Sequence, residues 1–377
     1  MELTLNDDQV QFLDTIRRFL GNRAGVEMRH APTLERRRET WAALAELGLQ
    51  GVAVPVELGG FSGTPEDIAV IAFELGREPV GTPRYENIVL AARLLGKGSG
   101  DAVAEMLGRL VTGDLRPAIA AYERPTCFDL AKSTTRISKA DGGYVVNGDK
   151  LAVVDGDDAN MLLVVGKMEE GGDLAVLAIN PASVGVTISP HHLADFTPAA
   201  NIRFENAFVS EAMLLVSGAD ASEQLQDCLD EALVILCAST VGSLERAIER
   251  TREYLAIREQ FGQPLGQFQA LQHEVADLFI ETNDARSMVY RAMSALHEGR
   301  EESRRAAAAC KVKVMTAARA VTGQALHLHG GIGFTAEYPI GHHFRRAFVD
   351  EKLLGDNEYH LERFMAPSGD EAVERAA

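Results

Sequence analysis

The stretch REQFGQPLGQFQ, Arg258 to Gln269, decides how the chain is read. Upstream of it, Leu233, Cys237, Val241, Leu244, Ile248 and Leu255 recur at helical spacing and mark one face of a long helix. That pattern stops at Phe261-Gly262, passes Pro264 and Gly266, and resumes as a second periodic run over 268–297. A third, alanine-rich run covers 302–326 and a fourth 338–354. Short connections between runs of this length predict a four-helix bundle over 218–377. An arginine, a phenylalanine and glutamines crowded around a kink are more than a plain helix junction requires.

Outward from the bundle the texture changes twice. Residues 1–117 predict a helical domain: Val10, Leu13, Ile16, Phe19 and Leu20 share a helical face after Asn6 as N-cap, and Trp41, Leu44, Leu47 and Leu49 continue the pattern. The turn VPVELGGFSGTPED leads into a further helix, with Thr64 as cap and Pro65 at its first position. Residues 118–217 predict a middle β-domain, a small barrel or sandwich. GGYVVNGDKLAVVDG alternates apolar and polar residues around Asn147-Gly148, a hairpin signal, and NMLLVVGKM, LAVLAINP, GVTISP and NIRFENAFV follow at short intervals. Short strands with polar turns argue against a βαβ unit. The fold class is therefore α+β multidomain.

At 377 residues with 46% hydrophobic residues, the chain can bury more than one core. Its 55 acidic against 37 basic residues give a net charge of −18, which argues against nucleic-acid binding. Cys127, Cys228, Cys237 and Cys310 show no metal or disulfide spacing, so a reducing, cytoplasmic setting is expected. No signal-peptide layout opens the chain, and no apolar run approaches the ~18 residues of a membrane span. His191-His192 and His342-His343 are adjacent rather than one helical turn apart, which is poor metal-ligand spacing.

This layout resembles the acyl-CoA dehydrogenase superfamily over essentially the whole chain. Four places carry the resemblance: WAALAELGLQGVAVPVELGG at 41–60, GGYVVNGDK at 142–150, REQFGQPLGQFQALQHEVAD at 258–277, and LHLHGGIGFTAEYPIGHHFRRA at 326–347. The resemblance implies FAD as cofactor, α,β-desaturation of an acyl-CoA thioester, and electron-transfer flavoprotein as acceptor. It places Arg258 on the pyrophosphate of a neighbouring subunit's FAD, where a planar guanidinium suits a phosphate. Phe261 would pack on the cofactor, and Leu265 and Gln269 would line the site, Gln269 near the adenine. Gly330-Gly331 would let backbone approach the same cofactor. His327 takes a place where the family usually has glutamine; both can donate a hydrogen bond.

The chain also departs from the family pattern. Most members keep a catalytic glutamate immediately before the glycine of a YEGT-like segment. Here Leu354 precedes Gly355. Other members place the glutamate on the first bundle helix, a position that falls on Ala232, and the neighbouring Glu231 is rotated about 100° away. Glu231 reads as a solvated acid in the run DCLDEA, Asp356 and Glu358 fit no better, and the catalytic residue stays unassigned. The family's TEPxAGSD segment is replaced by AAYERPTCFDLAKST, and its WITN-like stretch by Ala152-Val153-Val154-Asp155. Contacts to a partner's cofactor are kept and contacts to the chain's own flavin ring are eroded. That pattern resembles the base-lacking subunit of heterotetrameric acyl-CoA dehydrogenases that handle steroid or other bulky acyl-CoA thioesters. A homo-oligomeric dehydrogenase with a displaced base and a non-catalytic scaffold subunit are the alternatives.

Overall fold

The structure is a computed structural model that describes residues 7–23, 32–78, 83–124 and 126–366. Five helices come first: α1 (Asp7–Arg23), α2 (Leu34–Glu46), α3 (Pro65–Gly76), α4 (Tyr85–Leu95) and α5 (Asp101–Val111). Eight strands follow: β1 (Pro117–Ala120), β2 (Arg136–Ala140), β3 (Gly143–Val154), β4 (Met161–Met168), β5 (Leu174–Ile179), β6 (Val186–His192), β7 (Pro198–Ser210) and β8 (Leu214–Val216). The long helix α6 (Ala221–Ile257) then leads to a two-residue ladder of β9 (Glu259–Gln260) and β10 (Gln263–Pro264). Four more α-helices follow among the described residues: α7 (Gln269–Ala295), α8 (Arg300–His329), α9 (Ile340–Lys352) and α10 (Asn357–Met365).

Pro65 opens α3 as its sequence position predicts, whereas the Asn6 cap lies outside the described residues. The alanine-rich run extends three residues beyond its predicted end because Leu328 and His329 remain buried in the helix. Past the predicted fourth run, α10 is an additional short helix, capped by Asp356, whose carboxylate accepts from the Tyr359 amide at 3.1 Å.

By packing, the chain divides into two compact units that interleave in sequence. One contains 1–30, 65–80 and 233–377; the other contains 31–64 and 81–232. In the first, α8 is the central helix, packed by α7, α9 and α10, and all six apolar positions that announced α6 are buried. The same unit holds a close crossing of α3 and α6. A Cβ on Gly76 would stand 1.9 Å from the Ser239 carbonyl, and one on Gly242 would stand 2.0 Å from that of Phe73. Backbone, not a pliable side chain, is the obstacle. Gly242→Ala is therefore expected to push the helices apart and destabilise the chain by about 1–3 kcal/mol, measured by urea unfolding.

In the second unit the eight strands form one sheet in the order β6-β7-β3-β2-β4-β5-β8, with β1 parallel to β4. Pairing is mostly antiparallel; β2 also runs parallel to β4, and among the described residues no α-helix connects these parallel strands. Strands β4 and β5 are buried along both faces, apart from the last two residues of β4, and read as unbroken apolar runs for that reason. Asn147-Gly148 is not a hairpin turn. It lies inside β3 at a register shift opposite β7, and Asp141-Gly142 makes the turn from β2. A Cβ on Gly148 would fall 2.4 Å from the Thr135 hydroxyl, so the glycine permits a close approach at a bulge.

Candidate functional site

The residues assigned to a partner's cofactor lie in the first unit, at the ends of α6 and α8. Helix α6 stops at Ile257 because the chain must reverse. Phe261 and Gly262 both take positive φ, 54° and 80°, between the paired residues Gln260 and Gln263. A phenylalanine in the left-handed region is strained. The residue is 90% exposed, and its ring meets Phe268 edge-on at 6.2 Å between centroids. The Leu265 amide donates to the Arg258 carbonyl at 2.8 Å and closes the turn, while Gln272 Nε2 donates to the Gly266 carbonyl at 2.8 Å. Arg258, at the foot of the turn, is exposed, and Gln269 is the first residue of α7. The arrangement presents an arginine and an aromatic ring outward from a rigid kink.

At the other end, Gly330 ends α8 with φ 61° and ψ −144°, a conformation reserved for glycine. Among the described residues, nothing beyond its chain neighbours lies within 4 Å of a Cβ built on Gly331, so none of that packing demands a glycine there. His327 is exposed in the last turn of α8. Open backbone at Gly330-Gly331 and an outward arginine are features that a bound pyrophosphate fits. Arg258, Phe261, Gln269, Gly330 and Gly331 are the residues that would hold it.

The segments 121–135 and 150–155, which depart from the family pattern, lie in the second unit. Glu123 is buried and fully engaged. Its carboxylate accepts from Ser133 Oγ at 2.5 Å, from the Thr134 amide and hydroxyl, from the Thr135 amide and from Lys150 Nζ at 2.6 Å. Burial opposes its ionisation, but Lys150 and the hydroxyls of Ser133 and Thr134 outweigh burial and hold it well below the usual range. Burial draws Lys150 down to about 8 even with Glu123 beside it, so the pair is ionised at neutral pH. Tyr122 packs edge-on against Phe128 at 5.5 Å. Ala152 and Val154 carry no polar side-chain atom where the family has tryptophan and threonine.

Asp155, at the end of that stretch, has φ 55°. Around it stand Arg37 from α2, Asp157, and Arg84 and Glu86 from the start of α4. Arg84 Nη2 donates to Asp195 at 2.7 Å, and Nη1 lies 3.7 Å from Glu86 Oε1. Glu86 is 1% exposed, and neither carboxylate oxygen has a hydrogen-bond partner among the described residues. Burial first, opposed by Arg37 and reinforced by Asp157, raises Asp155 to about 6. A carboxyl raised on folding is ionised more easily in the unfolded chain. Its protonation therefore favours the folded state, and this contribution is lost as pH rises from about 4 through about 6. The loss is expected to reach up to about 3 kcal/mol, and Asp155→Asn should remove that slope from unfolding curves taken across the interval.

The two places for a catalytic base are equally explicit. Ala232 is fully buried. Glu231 is not a solvated acid: Arg93 Nε and Nη2 donate to its carboxylate at 2.8–3.1 Å, and Arg93 Nη1 donates to the Ala53 carbonyl. Local pattern cannot announce this pair, because Arg93 lies 138 positions away. Leu354 takes φ 58° in a turn held by buried groups. Lys311 Nζ donates to the carbonyls of Asp350 and Leu353 at 2.6 and 2.7 Å, and His360 Nε2 donates to the Leu354 carbonyl at 2.8 Å. Arg363 donates to His360 Nδ1, which fixes that tautomer, and burial pushes His360 down to about 3. The turn is firm, and what it presents is a leucine.

A helical region, a middle sheet and a long helical region that carries an arginine hairpin and a Gly-Gly helix end define an acyl-CoA dehydrogenase-type flavoprotein fold. Residues 6–114 match the family description "Acyl-CoA dehydrogenase, N-terminal domain" and residues 222–367 match "Acyl-CoA dehydrogenase, C-terminal domain", together more than half of the chain. The chain belongs to the acyl-CoA dehydrogenase superfamily of FAD-dependent oxidoreductases. It is 26% identical to the mitochondrial 2-methylacyl-CoA dehydrogenase of Solanum tuberosum, over 94% of this chain and 89% of that protein. Among solved structures it is similar to the Tcur3481-Tcur3483 steroid ACAD variant, at 27% identity, 99% coverage of each chain and a TM-score of 0.86. The ChsE4-ChsE5 complex of Mycobacterium tuberculosis shares the fold, at 23% identity, 98% coverage of this chain, 100% of that chain and a TM-score of 0.85. No helix among the described residues is long and apolar enough to cross a membrane.

Proposed function

We propose that this chain is the subunit of an acyl-CoA dehydrogenase that completes the FAD site of a second, base-bearing chain. The observation that carries the reading is the contrast between its two cofactor faces. Arg258, Phe261 and Gly330-Gly331 are exposed and open, while the Glu123–Lys150 and Asp155 regions are filled by the chain's own charges. Bound FAD would supply the hydride-accepting chemistry that the family's desaturation needs. The part taken by this chain is to neutralise the pyrophosphate through Arg258 and to cover the cofactor with Phe261.

The similar steroid ACAD structure couples two gene products in its name, which supports a two-chain assembly and a bulky acyl-CoA as substrate class. Electron-transfer flavoprotein is the acceptor this reading expects, in the cytoplasm. The alternative of a homo-oligomer with a displaced base has to use Glu231, and the bidentate grip of Arg93 opposes that. The test is stoichiometry: the assembly recovered through a tag on this chain should contain a second acyl-CoA dehydrogenase chain and one FAD per pair. A yellow homo-oligomer with one FAD per chain would reject it.

A further inference from the structure

The two cofactor-facing segments belong to different helices, and their separation has to be set by something in the chain. Tyr254 is one turn before Arg258, and its carbonyl accepts from the Arg258 amide at 2.9 Å. His329 is the last residue of α8, immediately before Gly330. The rings of Tyr254 and His329 stack, with centroids 4.6 Å apart and planes 27° from parallel. Tyr338 closes the group from the chain beyond the Gly-Gly turn, 5.0 Å from His329 and 6.2 Å from Tyr254. One aromatic cluster thus joins the helix that leads into Arg258, the helix that leads into Gly330, and the segment that returns from it.

His329 suits this place for two reasons. It is 2% exposed, and Nδ1 lies 2.7 Å from the Ala325 carbonyl, an acceptor only, so Nδ1 carries the proton and donates. That bond anchors the ring to its own helix, one turn back from its backbone. Burial holds the imidazole below its ordinary range, against the pull of the Ala325 and Arg250 carbonyls, so the ring stacks as a neutral aromatic.

We propose that the Tyr254–His329–Tyr338 stack is a positioning element that fixes the span between Arg258 and Gly330-Gly331, and so sets the affinity of the assembly for FAD. The proposal rests on the half-site reading above. None of the three rings is assigned a contact with the cofactor; they act through the backbone ends they hold. A displacement of about 1 Å in such a pair of ligands is enough to lose an order of magnitude or more in affinity or rate.

The experiment uses the assembly recovered through a tag on this chain, stripped of flavin and titrated with FAD by fluorescence quenching, with the thermal midpoint recorded alongside. His329→Leu fills the volume without the stack and should weaken FAD about tenfold or more with little change in midpoint, while His329→Phe should stay within about threefold of the parent. In an Arg258→Ala background, His329→Leu should cost less than about twofold, because the element acts through Arg258; a merely structural residue would cost the same in both backgrounds. Normal FAD binding by His329→Leu, or equal weakening by the Leu and Phe variants, overturns the proposal while the half-site reading stands. Unchanged binding by Arg258→Ala overturns both. Should His329→Leu fail to fold, Tyr254→Leu removes the same stack from the α6 side and carries the same expectations.

Discussion

Arg258→Ala is expected to strip FAD from the assembled protein, weakening retention roughly 10- to 150-fold. The size follows from the chemistry of the contact. A guanidinium on a pyrophosphate makes charge-assisted hydrogen bonds worth about 1.5–3 kcal/mol, and about 1.4 kcal/mol is a factor of ten. Within its own chain Arg258 is exposed, its backbone is pinned by the Tyr254 and Leu265 bonds, and the turn beyond it holds Phe261 in a strained left-handed conformation. Alanine there should leave folding almost untouched, so the loss appears in flavin absorbance after gel filtration and not in the melting curve. Arg258→Lys should recover part of the affinity, since a point charge replaces the fork. Unchanged flavin occupancy would make Arg258 an ordinary surface residue.

That the arginine hairpin could be found from sequence at all reflects how local its causes are. Helical spacing ends at Ile257, glycine and proline force the reversal, and the apolar period restarts at Gln269 within a dozen residues. The long helices of the bundle were legible for the same reason, and so was the place of the Gly-Gly turn. What the sequence hid depends on partners far along the chain. Asn147-Gly148 looks like a turn because its local chemistry is that of a turn; only the neighbouring Thr135 explains why a glycine sits inside β3. Glu231 looks solvated until Arg93 is placed beside it, and nothing near residue 155 announces Arg84 and Glu86. The Tyr254–His329 stack likewise joins positions 75 apart that share no pattern. Periodicity reports which face of an element is buried, not which buried groups meet.

The largest expected effect concerns turnover. Purified without a partner, this chain should desaturate acyl-CoA thioesters at least 10²–10⁴-fold below the ordinary dehydrogenase range of ~1–10³ s⁻¹, the factor a positioned general base supplies. Leucine at 354 and alanine at 232 cannot take a proton, and the acid next to Ala232, Glu231, is already committed to Arg93. Leu354→Glu is an instructive rescue, because the turn that would carry the new carboxylate is held by Lys311 and His360. It should still restore little. The base would be present, but the stretch that would have to face the flavin ring offers Ala152 and Val154 in place of side-chain donors, and Glu123 is consumed by Lys150 and its hydroxyl partners. Supplying the second chain should restore both base and ring contacts at once, and turnover should rise to the ordinary range with no change to this subunit. The measurement is steady-state reduction of an artificial electron acceptor over a panel of acyl-CoA thioesters, with this chain alone, with Leu354→Glu, and in the recovered assembly. Ordinary rates from the single chain would reject the half-site reading. In that event Arg93→Ala becomes the decisive variant, since a base function for Glu231 requires that its ion pair open during the reaction.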